Sequence, residues 1–139
     1  MAKYVVTATA VKIGTTNVSD SCASATLELT AADVDVTDFG SAGWTSVIGG
    51  LKSGTLSLDF HNDYGVGGIN TLLNPLLGTI ATVTLAPNGT VGSSTNPIWT
   101  VPVLINSVSP IAGAVGDLAT FSVSFPTSGS VTSSTAGTV

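Results

Sequence analysis

Apolar and polar residues alternate with a period of two through much of the chain. In Thr55-Leu56-Ser57-Leu58-Asp59-Phe60 the three large apolar side chains share one face, and Ser57 and Asp59 lie on the other. Thr120-Phe121-Ser122-Val123-Ser124-Phe125 repeats the pattern, and Pro126 then withholds a ladder donor. Both segments predict half-buried antiparallel strands. Further strands are predicted over residues 4–13, 25–31, 79–86 and 98–107, where β-branched residues dominate and turn residues bound the run. Gly14-Thr15-Thr16-Asn17 predicts the turn of a first hairpin.

One segment changes period. Ile69, Leu72, Leu73, Leu76 and Leu77 recur at spacings of three and four, which predicts a helix of about two turns, started by Asn70 or a preceding glycine and ended before Gly78. Pro75 must sit early in it or kink it. Packed against one sheet, this helix completes an antiparallel β-sandwich or open barrel with one short flanking α-helix. Three stretches have no period. Residues 37–51 predict a long glycine-rich loop, 88–97 a polar hairpin loop, and 129–139 a Ser/Thr/Gly-rich C-terminal tail, mobile unless a neighbour orders it, after a single domain over 1–128. Phe39, Trp44, Val47 and Ile48 on the first connector have two readings. Either they fold back onto the subunit's own core, or they anchor a partner as interface aromatics do.

Composition sharpens the second reading. Of 139 residues 43% are hydrophobic, so the chain can build a core, yet only 8% are charged against about 25% in ordinary domains. There is no arginine, and beyond Asp63 the only charged residue is Asp117. Polarity comes from 17 Ser and 21 Thr instead. Charged side chains are the ones most easily left in water, so their scarcity implies either that much surface meets protein or that this is a Ser/Thr-rich secreted or cell-surface β-domain. No stretch of about 18 apolar residues is present to cross a membrane, and no signal-peptide-like run follows Met1, which predicts a protein made in the cytoplasm. Three lysines cannot grip nucleic acid tightly.

Candidate chemistry is sparse. His61 and Cys22 are the only residues of their kinds and lie on different segments; a polar strand residue and a small packed side chain are the expectations. Asp33, Asp35 and Asp38 form the one acidic cluster, with Asp33 and Asp35 on one strand face and no EF-hand spacing. Their expected roles are solvation, repulsion of a polyanion or pairing with a neighbour's lysine. Gly49-Gly50 and Gly67-Gly68 lack the lysine a phosphate loop requires. No catalytic residue, cofactor or metal is predicted.

The order of Asp35-Val36-Thr37-Asp38-Phe39-Gly40, Gly43-Trp44, Gly50-Leu51-Lys52-Ser53-Gly54-Thr55-Leu56-Ser57-Leu58-Asp59-Phe60, the Leu72-Leu73 and Leu76-Leu77 helix, and Gly113-Ala114-Val115-Gly116-Asp117-Leu118-Ala119-Thr120-Phe121 resembles the major tail proteins of long-tailed, non-contractile bacteriophages. The resemblance implies a structural, non-enzymatic subunit of the virion tail, assembled in the host cytoplasm. Six copies would close a ring, and rings would stack into a tube around a tape-measure protein, joined to tail-end proteins. DNA would later pass through the lumen without specific binding, and no membrane is involved. It also implies that the loop bearing Phe39, Trp44, Val47, Ile48 and Leu51 contacts the adjacent ring, while Asp33, Asp35, Asp38 and Asp59 are candidates for the lumen or an interface. The alternative is a binding module such as an immunoglobulin-like capsid decoration protein or surface adhesin.

Overall fold

The computed structural model describes residues 3–139. Its strands are β1 (Ala10–Ile13), β2 (Thr16–Asn17), β3 (Cys22–Asp35), β4 (Val47–His61), β5 (Ile80–Ala86), β6 (Ile98–Leu104), β7 (Thr120–Pro126) and β8 (Thr132–Ser134), with helix α1 (Ile69–Leu73) between β4 and β5. They form two antiparallel sheets, one in the order β2-β1-β5-β6-β8 and the other in the order β3-β4-β7. The architecture is the expected open sandwich with a single flanking α-helix.

Alternation decides what lies between the sheets. Leu56, Leu58 and Phe60 of β4 stand opposite Phe125, Val123 and Phe121 of β7, and all six are buried. Val11, Ile13, Val83, Val101 and Val103 close the core from the other sheet. The Phe60 and Phe121 rings lie 5.5 Å apart and tilted by 34°, an attractive aromatic geometry. Ile69 and Leu73 of α1 complete the packing.

The helix is shorter than its stripe. Its N-cap is Gly68, and Asn74–Leu76 continue as a 3-10 turn because Pro75 supplies no N–H for an α-helical bond. Leu77 turns outward, and Gly78, at φ +84, lets the chain reverse into β5. Asn70 does not cap. It is buried, and its Oδ1 accepts the Asp63 N–H at 2.7 Å, which ties the helix to the end of β4.

Other boundaries move for identifiable reasons. The predicted strand at 4–13 shrinks to β1, since its partner β5 ends at Ala86 and Pro87 has no N–H with which to continue the ladder. Strand β6 stops at Leu104, where its partner begins with Ile80. The C-terminal stretch carries β8, paired with Ile98–Thr100 of β6, and Val139 packs near Ala10, Ala86 and Ile98 with its N–H donated to Thr90. The expected mobile tail is thus held by the subunit itself. The largest departure concerns residues 37–51, whose second part belongs to β4.

Phe60→Ala should destabilise the isolated subunit by about 3–5 kcal/mol, as large-to-small changes in closed cores do, read from denaturant unfolding.

Candidate inter-subunit surface

β3 and β4 run together beyond the sandwich as a long hairpin arm. Pairing continues from Cys22↔Phe60 to Asp35↔Val47, with irregularities near Ala23 and Ala32. Glycine makes this possible. A Cβ on Gly54 would stand 2.7 Å from Leu29 Cδ2 and 2.9 Å from the Glu28 carbonyl, and one on Gly50 would stand 2.9 Å from Val34 Cγ2 beside the bulge. Gly49-Gly50 read as a loop signal in the sequence; they are instead strand residues at a β-bulge, where Gly50 and Leu51 of β4 stand against Ala32 alone.

Polar groups order the tip of the arm. The Thr37 N–H donates to Asp35 Oδ1 at 2.8 Å, Ser46 N–H to Thr37 Oγ1 at 2.8 Å, and Val36 N–H to the Ser46 carbonyl at 2.9 Å. A 3-10 turn over Phe39–Ser41 follows, and Ser41 Oγ donates to Asp38 Oδ1 at 3.2 Å. Ala42 at φ 52 and Gly43 at φ 86 reverse the chain, and Trp44 N–H donates to the Ser41 carbonyl at 3.0 Å. The nearby Thr37 hydroxyl, and next the Thr37 N–H, hold the Asp35 carboxyl below the usual carboxylate range. This local turn is therefore intact above that range and loosens as pH falls through the lowered pKa.

The backbone spends its polar groups on itself and turns its large side chains outward. Phe39 is fully exposed, Trp44 is 79% exposed and Leu51 88%, with Val47 and Ile48 also exposed. Of the two readings open for these residues, folding back onto the subunit's own core does not occur. Asp33 and Asp35 lie on the arm across from Gly49 and Val47, and Asp38 lies at its tip. Asp59 is not part of this group. It stands on the body of the sheet between Ser24 and Ser122.

That outward face of β3-β4-β7 is a second surface with a distinct character. Register places Thr26, Glu28 and Thr30 of β3 beside Ser57, Thr55 and Ser53 of β4, with Ser124 and Ser122 of β7 beyond. Hydroxyls meet hydroxyls across it, Thr30 Oγ1 and Ser53 Oγ at 3.2 Å and Ser57 Oγ and Ser124 Oγ at 3.4 Å. Its charged groups are the carboxylates Glu28 and Asp59. Glu28 was not singled out in the sequence, although its alternation with Leu27 and Leu29 puts it on this face. β3 and β7 are the two edges of the sheet.

Pairing brings Cys22 and His61 onto neighbouring strands but separates them by face. Cys22 stands opposite Phe60 and packs on the core, whereas His61 follows Phe60 on the other side. Burial pushes the Cys22 thiol up, its contact with the Ser24 backbone opposes this, and the Asp59 charge adds to the rise. Such a thiol is a poor nucleophile at neutral pH. Among the described residues no three His, Cys, Asp or Glu side chains converge as a metal ion requires, and no helix is long and apolar enough to cross a membrane.

No protein-family model and no curated protein sequence matches the chain. Solved structures do resemble it. A chain in the virion of a native gene transfer agent particle superposes with a TM-score of 0.65 at 17% identity, covering 82% of this chain and 85% of that one. A chain in the tail of an empty gene transfer agent particle, refined helically with C6 symmetry, gives a TM-score of 0.63 at 17% identity, covering 81% of each. The fold is therefore one found in virion and tail particles, in agreement with the resemblance read from the sequence.

In a Trp99→Phe background, the remaining fluorescence from Trp44 should be red-shifted and readily quenched by acrylamide in the dispersed subunit. A blue-shifted, protected emission there would mean that Trp44 is buried within its own chain.

Proposed function

We propose that this chain is a structural subunit of a phage-like tail tube, in which six copies close a ring and rings stack through the β3–β4 arm. The observation that carries this reading is the ordered arm, whose exposed aromatic and aliphatic side chains exceed what a soluble monomer ordinarily leaves in water. The fold shared with a C6 helical tail supports it.

Each surface then has a task. The two sheet edges, β3 and β7, are the natural partners for lateral pairing, because unpaired strand edges template addition of a neighbouring strand. A β3 edge on one copy and a β7 edge on the next make a head-to-tail contact, the kind that generates rings. The hydroxyl face carrying Glu28 and Asp59 then lines the lumen. It offers hydrogen-bonding groups that hydrate well and a weak negative potential that keeps DNA from adhering. Asp33, Asp35 and Asp38 accompany the arm to the inter-ring contact. In this role the subunit needs no catalytic group or cofactor. Its further partners are a tape-measure protein inside the tube and tail-end proteins at its termini, and its place is the virion tail, reached by assembly in the host cytoplasm.

Purified protein at high concentration should form rings or tubes with sixfold end views in negative-stain images. A strictly monomeric species under all conditions would overturn the reading. Trp44→Ala should weaken stacking by about 2 kcal/mol or more per contact, yet shift subunit stability by less than about 0.5 kcal/mol. Equal loss of both would reassign the residue to the fold. Because the contact is apolar, tubes should persist at about 1 M salt, where screening reaches about 3 Å; dissolution there would point to ion pairs instead.

A further inference from the structure

The arm has a counterpart at the other end of the molecule. Strand β4 runs from the arm at Val47 to His61, a length of roughly 45 Å for 15 residues of extended chain. Beyond His61 stand Tyr64 and Val66, and beside them the connection from β6 to β7 presents Ile111, Val115 and Leu118, all exposed. The two segments are tied together. Asn62 N–H donates to the Ala119 carbonyl at 2.9 Å, and the Tyr64 hydroxyl donates to the Pro110 carbonyl. Val108 and Ala112 of the same connection pack on the core, and Asp117 N–H donates to the Ala114 carbonyl at 3.1 Å, so this is an anchored loop showing selected apolar side chains.

Resting on the tube reading above, we infer that this loop cluster, built around Val115 and Leu118, is the receiving surface for the arm of a second copy of this chain in the next ring. Two dissimilar apolar patches at opposite ends of one subunit are what a repeating head-to-tail contact requires. The areas match. Phe39 and Trp44 alone offer on the order of 300–500 Å². With Val47, Ile48 and Leu51 the arm approaches the roughly 800 Å² per partner of a stable interface. Pairing arm tip with arm tip would set Asp38 against its own symmetry copy and leave the loop cluster bare.

The test uses two variants of the full chain, an arm variant (Phe39→Asp with Trp44→Asp) and a loop variant (Val115→Asp with Leu118→Asp), each checked for a wild-type circular dichroism spectrum. Each alone should reduce sedimentable polymer by roughly tenfold or more, since hot-spot contacts are lost. Mixed in equal amounts, the two should form particles of two layers and no longer, because the intact loop of one meets the intact arm of the other. If either pair of substitutions upsets folding, a Cys22→Ser background carrying Trp44→Cys and Val115→Cys should give a ladder of disulfide-linked multimers on mild oxidation. A loop variant that polymerises like wild type, or dimers linked through Trp44→Cys alone, would overturn this pairing while the tube reading stands. Wild-type protein that never assembles would remove both.

Discussion

Apolar side chains that a subunit cannot bury in itself constrain everything else about this molecule. The core closes with Phe60, Phe121, Phe125 and their neighbours, and nothing in that closed interior can admit Phe39 or Trp44. Most soluble proteins offset such exposure with a charged exterior; here the exterior is mainly hydroxyl, and Lys52 is the one cation on the arm. A surface of this kind is exposed to water only at a cost, which covering by a complementary apolar surface would remove.

The arm is costly to leave exposed but inexpensive to order. Ordering a loose loop on binding would consume much of the contact energy in lost conformational freedom. Pairing from Leu29↔Gly54 to Asp35↔Val47, interrupted only by the bulge opposite Ala32, with the Asp35, Thr37 and Ser46 bonds at the tip, fixes the backbone of the arm within the subunit itself. What remains to be immobilised is a handful of side chains, two of them aromatic with few torsions.

Legibility in the sequence follows the same physics. The alternation of Leu56, Leu58 and Phe60 and of Phe121, Val123 and Phe125 identified both faces correctly, because period two is a geometric property of strands. The interface candidates were visible as large apolar residues among glycines, yet their structural setting was not. Gly49 and Gly50 speak for a loop in isolation, and only pairing with β3, which absorbs Gly50 and Leu51 as a bulge opposite Ala32, turns them into strand residues. Ile111, Val115 and Leu118 carry the same signal as Phe39 and Trp44, large apolar residues in a glycine-bearing connector, yet Val115 and Leu118 enter the sequence reading only as part of the resemblance, since no aromatic marks the connector as a contact surface. Strand β8 was illegible since Thr132–Ser134 has no apolar face; it forms because β6 offers an edge.

Charge placement supplies the last step. The carboxylates of the β3-β4-β7 outer face, Glu28 and Asp59, sit among hydroxyls with no lysine at any paired position of that face, whereas Lys52 lies opposite Ala31 on the other side of the sheet. A cation on the outer face would attract a polyanion and hold it, and each further lysine would multiply the affinity at physiological salt. Dense acidic side chains would repel it but would also repel any copy of the chain packed alongside. In the proposed tube, hydroxyls with a thin scatter of carboxylates avoid both penalties: the same scarcity of charge lets identical copies pack closely and leaves a lumen to which DNA does not adhere.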